Sequence, residues 1–107
     1  MDKSILILVT QPPTPDCEAL EYALAMAAFD IPVKLLFVGD GAYWLQQNQT
    51  ARKTGGKSPS KLLAASSMYG IDDIGYVSDS YTTTDFQSLT QAEASHWINS
   101  SHHVVTF

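Results

Sequence analysis

The sequence predicts an α/β protein, a single-domain three-layer sandwich with a mainly parallel sheet of about five strands. Three observations carry this. Ser4 to Thr10 is a short continuous apolar run (Ile5-Leu6-Ile7-Leu8-Val9), the mark of a strand buried on both faces. After it come a turn-rich stretch, a helical segment to about Phe29, and a second apolar run, Val33 to Val38, ending in Gly39-Asp40-Gly41. Two buried strands joined by one helix should be parallel neighbours with a right-handed crossover. Later apolar runs recur at Ile74 to Ser78 and Val104 to Phe107, separated by a helical pattern. In such a fold, function is sought in the loops after the carboxyl ends of the strands.

The elements follow in order. For the first helix, Thr14 serves as N-cap, Pro15 takes the first helical position, and Asp16 and Glu18 suit the positive end of the dipole. Leu20, Ala23, Leu24 and Ala27 fall on one face and should cover the sheet. Asp30-Ile31-Pro32 stops the helix. Ala42 to Gln46 reads as a short helix, and Gln47 to Lys57 as a polar loop with paired glycines. Ser58-Pro59 restarts a helix that Gly70 closes as a C′ residue. Ile74 to Ser78 is the third strand, Ser80 to Thr84 a hydroxyl-rich turn, and Asp85 to Ser88 a short fourth strand. Thr90 to Ile98 makes the last helix and Val104 to Phe107 the closing strand.

Length and composition bound the answer. A chain of 107 residues makes one domain, residues 1–107, and can bury a core without staples. Eleven acidic against six basic residues give a net charge of -5, which argues against nucleic acid or an anionic membrane as a direct partner. One cysteine rules out an internal disulfide framework and suits a reducing cytoplasm. Met1-Asp2-Lys3 running straight into a strand is no signal peptide, so a cytoplasmic location is expected and the sequons at Asn48 and Asn99 are chance matches.

Several residues invite a chemical reading. Cys17 sits in the first turn of the first helix, where backbone amides favour a thiolate. Asp16 and Glu18 beside it oppose that shift, and an inert buried thiol is the competing reading. Asp40 lies between two glycines at the end of the second strand, as a ligand contact or as the cap of the short helix after it. Gln11 and Ser78 end the first and third strands, and with Asp40 they mark a possible small-ligand site. Tyr43, Trp44 and Leu45 are assigned to an interface, since bulky aromatics on a small surface helix are typical of one; packing onto the core is the alternative. Ala51 to Ser58 mimics the tail of a phosphate-binding loop but lacks its first glycine and its preceding strand, so it reads as a solvent loop. His96, His102 and His103 are read as surface residues. Adjacent strand positions point to opposite faces, so the last two do not share a metal, and none is expected.

Over nearly its whole length the chain resembles the DsrE/DsrF/DsrH superfamily, closest to the TusC/DsrF branch. The matching pieces are the first strand ending in Thr10-Gln11-Pro12, the Glu18-Ala19-Leu20 helix start, and Ala25-Met26-Ala27-Ala28-Phe29. Leu36 to Gly41 with the aromatic turn after it, Lys61-Leu62-Leu63, Tyr69-Gly70-Ile71 and Ser88-Leu89-Thr90 add to them. The resemblance implies a flavodoxin-like domain acting as one subunit of a hetero-oligomeric sulfur relay, for tRNA thiolation or sulfur oxidation. It also implies homologous small DsrE/DsrH-like partner subunits, and no cofactor is called for. In such complexes a sister subunit carries a persulfide on a cysteine just after its third strand. Here that place is Tyr76-Val77-Ser78-Asp79, and a serine hydroxyl has neither the acidity nor the polarizability to pass a sulfane sulfur. The expectation is therefore a non-catalytic subunit. The alternative is a homo-oligomeric module binding a small ligand near Gln11, Asp40 and Ser78.

Overall fold

The computed structural model describes residues 4–14, 16–46, 58–78, 83 and 86–107. Pro15, the polar segment 47–57 with its phosphate-loop mimic and Asn48, and most of the 80–84 turn lie outside the described residues.

Five strands form one sheet: β1 (Ile5–Val9), β2 (Val33–Val38), β3 (Asp73–Val77), β4 (Gln87–Ser88) and β5 (His103–Thr106). All pairings are parallel, in the order β4-β3-β2-β1-β5. The chain steps from β1 to β4 in one direction and returns to the far side of β1 only for β5. This differs from the 2-1-3-4-5 order of flavodoxin itself and places the reversal between β1 and β5. The central register aligns Ile7 with Leu35 and Val105, and Leu35 with Ile74.

Side-chain alternation divides the strands between two cores. Ile5, Ile7, Val9, Val33, Leu35, Phe37 and Tyr76 are buried in one cluster with Ala19, Leu20 and Ala23 of α1 (Glu18–Ala28) and Leu63 of α2 (Pro59–Ser66). Leu6 and Leu36 face the other way, against Leu89 and Ala94, the latter on α3 (Gln91–Ser100), with Trp97 packed on them. These layers are the sandwich expected from the sequence. Full burial of a Leu or Ile side chain contributes roughly 1.5–3 kcal/mol, so the central strands anchor the domain.

Helix ends are fixed by identifiable groups. Thr90 and Glu93 form a reciprocal capping box on α3, at 3.1 and 2.9 Å. Ser58 caps α2 by accepting from the Lys61 amide, with Pro59 in the first turn. The 310 turn Ser67–Tyr69 extends α2 to Gly70, whose φ of 84° lets the Ile71 amide reach back to the Ser66 carbonyl at 3.0 Å. At the end of α1, Asp30 takes the left-handed position at φ 62°. Its amide bonds to Ala27 and that of Ile31 to Met26, closing a Schellman motif.

The start of α1 differs from the expected one. The N-cap is Cys17, three residues beyond Thr14, in left-handed conformation at φ 52°. The Thr14 hydroxyl is spent on the Glu18 carboxylate, at 3.0 and 3.2 Å, and so does not cap the amides. The last strand differs in burial. β5 is an edge strand, and Val104 is 40 % exposed on the side that α3 leaves open. The rings of His102 and His103 do not diverge but meet edge to face at 4.7 Å, because His102 precedes the strand.

Gly75 decides how closely α3 approaches the sheet. A Cβ there would lie 2.9 Å from Leu89 Cδ1 and 3.1 Å from the Trp97 ring, over which the Lys34 ammonium of β2 lies at 5.2 Å. Replacing Gly75→Val should overpack this layer and cost about 1–3 kcal/mol. Urea denaturation should show a lowered midpoint with an unchanged slope.

Candidate functional site

Parallel strands bring their carboxyl ends to one pole of the domain. Gln11, Asp40 and Ser78 follow the adjacent strands β1, β2 and β3, so the topology gathers all three at that pole. Gln11 and Asp40 are exposed and Ser78 is half-buried.

Local structure there is set by the sharp turn after β2. Gly39 has φ 59°, and Gly41 is pressed against the end of β1, where a Cβ would lie 2.1 Å from the Val9 carbonyl oxygen. Only glycine fits this approach. The chain then winds through a 310 helix, Gly39–Leu45, folded over the end of the first core. Asp40 does not cap this helix. The N-cap is Val38, without a side-chain bond, and Asp40 stands in the first turn with its side chain in solvent.

The aromatic cluster lies largely inside. Trp44 is 2 % exposed and Leu45 1 %, while Tyr43 is half-buried. The expectation that all three are left in water for a neighbour fails for Trp44 and Leu45, because the Gly41 contact turns this helix onto the sheet. The Trp44 indole N–H donates to the Gln11 carbonyl at 2.9 Å, tying the loop after β1 to the turn after β2. The sequence reading did not identify this bond, although a tryptophan three residues after a glycine at a strand end is its signal.

A second tie holds the segment after β3. The buried Tyr76 hydroxyl donates to the Thr83 carbonyl at 2.8 Å and accepts from the Thr83 amide at 3.0 Å. These bonds tie Thr83 to β3, the strand that Ser78 follows. A hydroxyl, a carboxamide and a carboxylate gathered here are hydrogen-bonding groups; none of them is a sulfur nucleophile.

Cys17 is fully buried. Its thiol donates to the Thr14 carbonyl at 3.7 Å, within the first core. The same helix start that gives it amide neighbours also removes it from solvent. His96, His102 and His103 are all exposed.

Two outcomes follow from these contacts. Trp44→Ala should remove both a core side chain and the Gln11 bond, destabilising the domain by about 3–5 kcal/mol, as measured by thermal or urea unfolding. A change confined to association, with unfolding unaltered, would contradict this placement. Cys17 should react with an aromatic disulfide reagent slowly or not at all in the native protein, and fully in denaturant; rapid native labelling would show the thiol to be accessible.

Comparison of the sequence with known proteins points to one family. The model of the DsrE/DsrF-like family matches residues 3–107. The chain is also similar to the Protein TusC homolog of Pseudomonas aeruginosa, 43% identical over 81 residues, covering 73% of this chain and 67% of that protein. Matched over almost its full length, the chain belongs to the DsrE/DsrF-like family.

Proposed function

We propose that the chain is a non-catalytic subunit of a hetero-oligomeric sulfur-relay complex, serving tRNA thiolation or sulfur oxidation in the cytoplasm. Its partners in this reading are homologous small subunits, one of which carries the persulfide. Family membership and the similarity to a protein named as a TusC homolog support the relay assignment. One observation carries the non-catalytic part: Ser78 follows β3, and the chain's one thiol is sealed in the core. A relay thiol must be ionised and reachable, because its thiolate attacks a sulfane sulfur and is then attacked in turn. Ser78 cannot ionise usefully, and Cys17 cannot be reached.

The role left to such a chain is to shape the assembly around a sister subunit's persulfide. The acidic balance of the chain and the absence, among the described residues, of any helix long and apolar enough to cross a membrane fit a partner that is protein rather than nucleic acid or lipid. The polar strand ends, Gln11, Asp40 and Ser78, would then face the shared relay cavity and not act alone.

Mild affinity purification from the native host followed by mass spectrometry should recover homologous small chains with this one. On incubation with a persulfide donor, a gain of about 32 Da, one sulfur atom, should appear on a sister chain and not here. Recovery of the chain alone as a homo-oligomer would favour the small-ligand alternative. A transferable sulfur on Cys17, lost in Cys17→Ser, would overturn the non-catalytic reading.

A further inference from the structure

β5 ends one side of the sheet with an edge whose backbone can be followed residue by residue. The His103 amide bonds the Ser4 carbonyl at 3.0 Å, and the Phe107 amide bonds the Leu8 carbonyl at 2.8 Å. The Phe107 carbonyl accepts from the Thr10 amide at 2.9 Å. His103, Val105 and Phe107 thus turn their backbone groups toward β1. By alternation, Val104 and Thr106 turn theirs away, each offering an N–H and a C=O that no described residue bonds. Residues 86–107, which lead to this edge and build it, are described throughout.

Edge strands are ordinarily guarded by a charge, a proline or a bulge. This one has none of them. From Ala94 to Phe107 the sequence holds no Asp, Glu, Lys, Arg or Pro, and the register of β5 on β1 runs without interruption. Apolar surface lies on both sides of the edge. On the second face Val104, paired with the buried Leu6, is 40 % exposed. On the first face the Tyr22 and Phe107 rings meet at 5.8 Å, so the Tyr22 flank of α1 lies beside β5. Met26 and Phe29 continue that flank at helical spacing, and Phe29 is 76 % exposed. Exposed apolar groups on either side of an unguarded edge mark an interaction surface.

We propose that this edge pairs with the same edge of a second copy, antiparallel about a two-fold axis at Val105, joining two five-stranded sheets into one. The free groups set the register. Antiparallel residues that exchange both bonds sit directly opposite each other, so Val104 faces Thr106 of the second copy, and Thr106 faces its Val104. Every outward group of both strands is then bonded. The opposed Val104 and Thr106 side chains share the second face as a β-branched cross-strand pair. On the first face, the Tyr22, Met26 and Phe29 flanks of the two α1 helices turn toward each other. Charge favours a second copy at this place. With a net charge of -5 per chain, copies repel where carboxylates meet, and the uncharged run 94–107 offers an edge where none do. The contact is isologous and closes at two chains. The inference does not rest on the sulfur-relay reading, since sister chains can join a pair as they can a single copy.

Sedimentation of the full chain from low to high micromolar concentration should show the mass rising from one chain to two. Hydrogen exchange at the Val104 and Thr106 amides should slow as the pair forms. Thr106→Pro removes an outward N–H, which an edge strand tolerates, and should weaken the pair about tenfold or more through two lost hydrogen bonds. Val104→Lys and Val104→Glu should each weaken it with the circular dichroism unchanged, and an equimolar mixture of the two should restore a pair at low salt. Ser95→Lys, on the exposed side of α3, should leave pairing intact. The mass of one chain throughout, with freely exchanging Val104 and Thr106 amides, would overturn the proposal. So would a dimer indifferent to Thr106→Pro and to charge at position 104, or a charge effect that mixing does not relieve. Protection of β5 that appears only when sister chains are bound would assign the edge to another subunit.

Discussion

The backbone contact between Gly41 and the end of β1 is the constraint on which the strand-end pole depends. With the Val9 carbonyl 2.1 Å from where a Cβ would sit, the turn after β2 can close only on glycine. That closure delivers Trp44 to the core, and its indole then bonds the Gln11 carbonyl. One close approach thus joins two loops, buries the largest of the fully enclosed side chains and leaves Asp40 exposed. A parallel sheet needs such an arrangement. Its strands are buried on both faces, so polar groups are confined to the connections, and the connections must be held by specific bonds.

The same economy shapes β3. Tyr76 gives its ring to the first core and both hydrogen-bonding roles of its hydroxyl to Thr83. Thr83 is thereby tied to the strand that Ser78 follows. On the other face, Gly75 lets Leu89 and Trp97 come within about van der Waals contact of the backbone. Neighbouring residues of one short strand fix a loop on one side and a helix on the other.

These contacts bear on sulfur chemistry through burial. The first turn of α1 supplies amides that favour a thiolate, and Asp16 and Glu18 disfavour it. Neither effect decides the matter for Cys17, because its side chain is enclosed and its thiol donates to a carbonyl. Accessibility outranks acidity at this position. After β3 this chain presents a half-buried serine, and no thiol of the chain is exposed among the described residues.

The periodic features were legible in the residues themselves. Continuous apolar runs at Ile5 to Val9 and Val33 to Val38 dictated buried parallel strands, and Thr90 with Glu93, Ser58 with Pro59, and Gly70 announced helix ends through local hydrogen bonding. Local chemistry decides such features within a few residues, and so it can be read from them. The inward turn of Trp44 and Leu45, the delayed start of α1 at Cys17 and the exposed edge of β5 were not legible in this way. Each depends on residues distant in the chain: Gly41 against Val9, Cys17 entering the core built on β1 and β2, α3 lying over β3 and not over β5. An aromatic triplet next to a glycine pair reads alike whether it faces water or the core, and only the packing of the sheet beneath it chooses.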